Sequence, residues 1–287
     1  MSALPLTAAP ASFPVPPLAL PGGLTLPTGR TAIMGILNVT PDSFSDGGRY
    51  TDVAAALGHA RQMVAAGADL IDVGGESTRP NSTRISADEE WGRICTIVEA
   101  LATDGVIVSV DTLHASTARE AARAGAAIIN DVSGGRWDPE MNAAVAESGC
   151  AYVVQHYRAL PGMPGEHFDY GDDLVGTLME RVGSQVQDAI DAGVTPDKIV
   201  IDPGLGFSLT GDQCWQILRE LPRFLQGGYP VLVGASRKRF VKALEGDVDA
   251  NSADIAAYCA AAGAWAVRVH DVAATAAAIA RKENDVD

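Results

Sequence analysis

At 287 residues, 47% hydrophobic and 20% charged, the chain suits one large α/β barrel or two medium domains and is too apolar for wholesale disorder. Its net charge is −15, from 21 Lys+Arg against 36 Asp+Glu. So acidic a surface repels phosphate backbones and anionic lipids, which argues against nucleic-acid and membrane partners; an anionic small substrate needs the basic residues gathered at its site.

The apolar N-terminus is broken by Pro5, Pro10, Pro14, Pro16, Pro17 and Pro21 and has no basic residue before Arg30, so it lacks the charged start of a signal peptide. No apolar run approaches the ~20 residues of a transmembrane helix. Residues 1–21 are expected to be a flexible tail and 22–287 a single domain, with the cytoplasm as the default compartment. Cys95, Cys150, Cys214 and Cys259 form no CxxC pair and read as reduced thiols.

Beyond the tail, β-branched apolar runs alternate with Ala-rich segments of helical spacing. The predicted strands are Ala32–Val39, Leu70–Gly75, Ile107–Thr112, Ile128–Val132, Ala151–Tyr157, Ile199–Gly204, Val231–Ser236 and Ala264–His270. The predicted helices are Asp52–Ala66, Ala87–Ala102, Ser116–Ala124, Asp173–Ala192, Asp212–Gln226 and Val272–Arg281. Strands apolar on both faces are parallel strands covered by helices, and about eight such units close an α/β (β/α)8 TIM barrel. The rival, a doubly wound sheet, usually carries GxGxxG after its first strand, where this chain reads "NVTPDSFSDGG". "GFSLTGD" is no P-loop, because Asp212 stands where the lysine belongs. The long segments "NVTPDSFSDGGRY", "GESTRPNSTRIS" and "RALPGMPGEHFDYG" have the Pro, Gly, Ser and Asn content of loops that act as lids.

Most of these strands end in or near a polar residue: Asn38, Asp72 with Glu76, Asp111, Asn130, His156, Asp202, Ser236, and Arg268 with His270. In a barrel those ends converge on the catalytic face. Capping of the next helix accounts for single cases and stays open for Asp72 and His156. It does not account for the whole set. Asp111, Asn130 and Asp202 offer acceptors and an amide, suited to a flat heterocycle with an amidine-like edge. Lys238, Arg268 and His270 offer donors and positive charge, and Arg79 with Arg268 and His270 can hold a phosphate. Ser77 and Ser236 lack the GxSxG context of nucleophiles, and His156 and His167 lack zinc-ligand spacing. Asn38, with Asp42 and Asp46 nearby, can meet Mg2+ beside substrate phosphates, although Asp42 and Asp46 read better as solvated turn residues.

These motifs are similar to those of a known family. "MGILNVTPDSFSDGG" (Met34–Gly48), "DVGGESTRP" (Asp72–Pro80), "SVDT" (Ser109–Thr112), "IIND" (Ile128–Asp131), "DPGLGF" (Asp202–Phe207), "GASRK" (Gly234–Lys238) and "RVHD" (Arg268–Asp271) resemble, in order, the signatures of dihydropteroate synthases. The resemblance implies a TIM barrel that condenses dihydropterin diphosphate with p-aminobenzoate. It implies pterin contacts from Asp111, Asn130, Asp202, Lys238 and Arg268. It implies a diphosphate and Mg2+ site from Asn38, Arg79, Arg268 and His270, with Asn38 on the metal. It places the p-aminobenzoate among Phe44, Thr78, Arg79, Pro80, Phe207, Ser236 and Arg239, and it implies a homodimer.

The chain departs from the family at Asn81, where many members have glycine, and at Arg239, where many have a hydroxyl residue. The segment "EGDVDANSADIAAYCA" lacks a customary arginine, which leaves the helix after the seventh strand, and the dimer contact on it, unassigned. A folate-dependent methyltransferase on the same barrel should lack "TPDSFSDGG", "STRP" and "SRK", and a non-catalytic pterin-binding paralogue should have lost Lys238. A generic phosphate-binding barrel is a weaker rival.

Overall fold

The computed structural model describes residues 5–6, 12–39, 48–77 and 83–284. Eight strands lie among them: β1 (Ala32–Asn38), β2 (Leu70–Gly74), β3 (Val108–Asp111), β4 (Ile128–Asp131), β5 (Ala151–Gln155), β6 (Ile199–Asp202), β7 (Leu232–Val233) and β8 (Ala266–Val269). All pairings are parallel, in the order β6-β5-β4-β3-β2-β1-β8-β7. A parallel bridge from Ile201 to Val231 joins the two ends, so the sheet is a nearly closed barrel. Among the described residues no helix is long and apolar enough to cross a membrane.

The helices are α1 (Gly48–Ala65), α2 (Ala87–Thr103), α3 (Ala115–Arg123), α4 (Met141–Ser148), α5 (Leu174–Asp191), α6 (Gly211–Arg219), α7 (Leu221–Leu225), α8 (Arg239–Lys242), α9 (Val248–Ala262) and α10 (Val272–Asn284). Several starts are capped as the sequence dictates. Ser86 accepts the Glu89 N–H, Asp173 accepts the Gly176 N–H, and Thr210 forms a capping box with Gln213.

Three expectations differ from the structure. The single helix expected over 212–226 is two, parted at Glu220, because Pro222 has no N–H to continue the ladder. The eight-residue α4 went unassigned; it has no side-chain N-cap, although Gly149 ends it in the left-handed region at φ 70°. The segment left unassigned after the seventh strand forms α9, started by Asp247, whose carboxylate accepts the N–H groups of Asp249 and Ala250.

Side chains alternate along each strand, and the two sets make two cores. Ile33, Ile71, Val73, Val110, Ile129, Val154 and Val267 face the helices. Met34, Leu70, Ile128, Val153, Val200, Leu232 and Ala266 fill the barrel, joined at its bottom by Val15, Leu18, Leu20 and Leu26. The N-terminal segment thus carries contacts of its own: Leu6 and Phe13 pack against the helix-facing core, Phe13 N–H donates to Ala262 O at 3.0 Å and Ala19 N–H to Asp197 O at 2.9 Å.

Gly263 makes this close approach possible. Its φ is +98°, and a Cβ there would collide with the Phe13 carbonyl. Gly263→Ala is expected to cost at least about 1 kcal/mol, through strain and through displacement of the N-terminal segment. An unchanged urea midpoint would remove this contact from the account of stability.

Candidate active site

The inner row of each strand changes character from bottom to top. Met34 and Ile36 lead to Asn38, Leu70 to Asp72, Ile128 to Asn130, Val153 to Gln155, Val200 to Asp202, and Ala266 to Arg268 and His270. An apolar floor thus carries a polar mouth, and the period of two fixes which residues share it. The mouth holds a cavity of about 530 Å3 whose walls include Asn38, Asp111, Asn130, Gln155, Asp202 and Arg268.

Arg268 is the central cation. Its Nε donates to Asp72 Oδ2 at 2.6 Å, and an Nη group donates to Asp111 Oδ2 at 2.8 Å. Asp72 also accepts from Ser109 Oγ at 2.6 Å and from Asn130 Nδ2 at 3.1 Å. Burial pushes the Asp111 carboxyl above the usual carboxylate range, against the pull of Arg268.

The opposite wall pairs Asp202 with Lys238. Asp202 accepts the Gly204 N–H at 2.7 Å, and burial raises its carboxyl while Lys238 opposes the rise. Burial pushes the Lys238 ammonium down to about 8, against the attraction of Asp202. The ammonium donates to Leu205 O and lies 4.9 Å from the Phe207 ring centroid.

The turn that delivers Lys238 is held from outside. Arg237 has a left-handed backbone, φ 57°, which is strained for an arginine. Its guanidinium grips Asp249 on α9 at 2.6 and 2.8 Å, and its N–H donates to Ser252 Oγ at 3.1 Å. Nearby, Ser236 Oγ accepts the His270 N–H at 3.2 Å and lies 3.0 Å from His270 Nδ1. A Ser236 proton donated to Nδ1 would set the N–H of a neutral ring on Nε2, the atom suited to an anion.

A barrel mouth lined by paired carboxylates and cations has counterparts among known proteins. The family model described as pterin binding enzyme matches residues 34–270. The chain is 46% identical over 258 residues to a dihydropteroate synthase of Mycobacterium leprae (strain TN), covering 86% of this chain and 90% of that one. The chain belongs to the dihydropteroate synthases, a family of pterin-binding enzymes. Its relative from Synechocystis sp. is 42% identical over 272 residues, covering 92% of this chain and 93% of that one. A Yersinia pestis dihydropteroate synthase in a sulfonamide drug complex superposes with a TM-score of 0.86 at 38% identity, covering 94% of this chain and 98% of that one. A Xanthomonas albilineans dihydropteroate synthase in complex with 7,8-dihydropteroate gives 0.81 at 36% identity, covering 92% and 97%.

Most residues that the family motifs single out meet in this mouth. Asn38, Asp111, Asn130, Asp202, Phe207, Ser236, Lys238, Arg239, Arg268 and His270 all line the cavity. Phe44, Thr78, Arg79 and Pro80 lie outside the described residues, as do Asp42 and Asp46. Ser236, expected at the aminobenzoate, has its hydroxyl engaged with His270. His156 does not join the cavity. It occupies the outward position next to Gln155, fully buried beside Tyr170, and burial lowers it to about 3. It is a neutral packing residue, neither helix cap nor site group.

Asp72 also caps nothing: it accepts from Ser109, Asn130 and Arg268 beneath the cavity. Gln155 and Lys242, which line the cavity, escaped the sequence reading. Gln155 was legible as the inner partner of Asp202 in the β5–β6 register, whereas Lys242 had no signal beyond its charge.

Proposed function

We propose that this chain condenses 6-hydroxymethyl-7,8-dihydropterin diphosphate with p-aminobenzoate, giving 7,8-dihydropteroate and diphosphate. The observation that carries this reading is one cavity whose lining joins acceptors, Asp111, Asn130 and Asp202, to cations, Arg268 and Lys238. The heterocycle's amino and ring N–H groups suit the acceptors, and its carbonyl suits Lys238.

The bond from the pterin methylene to the diphosphate oxygen breaks, and its electron pair leaves with the diphosphate. The electron-rich ring delocalises the positive charge left on the methylene. The p-aminobenzoate nitrogen then forms the new C–N bond and loses a proton. No protein nucleophile is needed: the residues orient both substrates and stabilise the leaving charge. In this reading Arg268, His270 and Arg79 meet the diphosphate.

Among the described residues no group of three His, Cys, Asp or Glu side chains makes a metal cage. A single amide oxygen, on Asn38, fits an ion that keeps several waters and shares the substrate's phosphates, as Mg2+ does. Asn38 would hold it, and the ion would supply charge neutralisation on the diphosphate. A homodimer in the cytoplasm completes the proposal.

Two tests apply. Purified protein with both substrates and Mg2+ should release one diphosphate per dihydropteroate; no release would overturn the reading. The p-aminobenzoate carboxylate is proposed to meet Arg239, which is exposed on the cavity rim and has no ion-pair partner among the described residues. Exposed pairs contribute only ~0.2–1 kcal/mol, so Arg239→Ser should raise the p-aminobenzoate KM by about two- to fivefold and leave the pterin KM unchanged. A parallel rise in both constants would instead make Arg239 a support of the Lys238 turn.

A further inference from the structure

Asn130 and Arg268 converge on one carboxylate that the reaction itself does not use. Asp72 is fully buried on β2, below the cavity and not among its walls. Its Oδ2 accepts from Asn130 Nδ2 at 3.1 Å and Arg268 Nε at 2.6 Å, and its Oδ1 accepts from Ser109 Oγ at 2.6 Å. A carboxylate paired with arginine accepts hydrogen bonds and donates none. Asn130 can therefore face Asp72 only with its NH2 side. A half-turn of the amide would set oxygen against oxygen in a buried place, where unpaired polar atoms are most costly. The Asn130 carbonyl oxygen is thus the atom left for a ligand. Gln155 repeats the pattern beside Asp202: its Nε2 donates to Val132 O at 3.1 Å, which leaves its own oxygen for the cavity.

We propose that Asp72 is a positioning residue that sets the hydrogen-bond polarity of the pterin end. It locks Asn130 with the carbonyl toward the ligand and anchors Arg268 beside it. The acceptor face then selects a ring that carries an amino group over the same ring carrying an oxo group there. This inference rests on the pterin reading of the site.

The test compares two commercial ligands, 2-amino-4-oxopteridine and 2,4-dioxopteridine, by calorimetry. The wild type should prefer the 2-amino ring by at least about tenfold, the discrimination expected when buried acceptors meet a missing donor. Asp72 Oδ2 accepts from both Arg268 Nε and Asn130 Nδ2, so in Asp72→Ala nothing opposes a turned Asn130 amide and the preference should fall at least about threefold. In Asp72→Asn the Arg268 Nε–H holds the amide oxygen at the Oδ2 position, so Asn130 stays locked and the preference should be kept. Asp72→Asn also carries the test if Asp72→Ala fails to fold, since the proposal forbids a lost preference there, and a merely structural role would not move this ratio. A preference kept in Asp72→Ala, or lost in a folded Asp72→Asn, would overturn the proposal while leaving the pterin reading intact. A wild type that binds neither ring would overturn the pterin reading and this inference with it.

Discussion

Asp202→Asn is expected to weaken pterin binding by about 2–5 kcal/mol, the range found when one partner of a buried, charge-assisted contact is lost. The geometry makes the substitution severe. Asp202 is 4% exposed, and one of its oxygens accepts the Gly204 N–H at 2.7 Å. An asparagine keeps that bond by leaving its oxygen where it is, which turns its NH2 toward the cavity. A donor then faces the ligand's own N–H groups, and Lys238 loses its neutralising charge. Calorimetry with the pterin alone isolates the effect from the second substrate. Binding within a factor of two of the wild type would remove Asp202 from the pterin site.

Lys238→Met should cost about as much, and it carries a pH signature that Asp202→Asn does not. With the ammonium of the free protein near 8, the donor is already in place below that pH and affinity is flat. Above 8 the free protein must take up a proton in order to bind, so affinity should fall by up to about tenfold per pH unit until the pKa of the complex is reached. The pteridine has ionisations of its own, which appear equally in Lys238→Met. The lysine's contribution is therefore the difference between the two profiles from pH 6 to 10. Parallel profiles would mean that Lys238 acts through packing against Phe207 and not as a donor.

Much of this site is legible in the sequence, because a strand's period of two fixes what its inner row becomes at the top. Asp111, Asn130, Asp202 and Arg268 each stand at the end of an apolar run, and nothing but convergence accounts for so many polar strand ends. The same rule, pressed further, separates Gln155, which faces in, from His156, which faces out; without the strand's phase both are polar residues after a β-branched run. Asp72 resisted for a different reason: its partners are 37, 58 and 196 residues away in the chain, and no local pattern announces them. The helix α9 hid because it is buried on most of its faces and so has no amphipathic stripe. Its tie from Asp249 to Arg237 is likewise a tertiary contact, invisible from spacing alone.

The weak seam of the barrel lies between β6 and β7. The strand β7 has two residues, and among the described residues its side of the sheet meets β6 through the bridge of Ile201 with Val231 and the bond from Ile201 N–H to Pro230 O. Asp202 follows Ile201 directly on one bank, and Lys238 hangs from the turn after β7 on the other. A heterocycle gripped by both spans the gap like a hoop around staves, supplying a rung that the backbone omits. At a ligand concentration a hundred times Kd, opening the barrel there becomes harder by about 2.7 kcal/mol. Occupancy and mechanical closure are then one event, and the filled barrel gains a tie across the gap that the backbone spans with the bridge at Ile201.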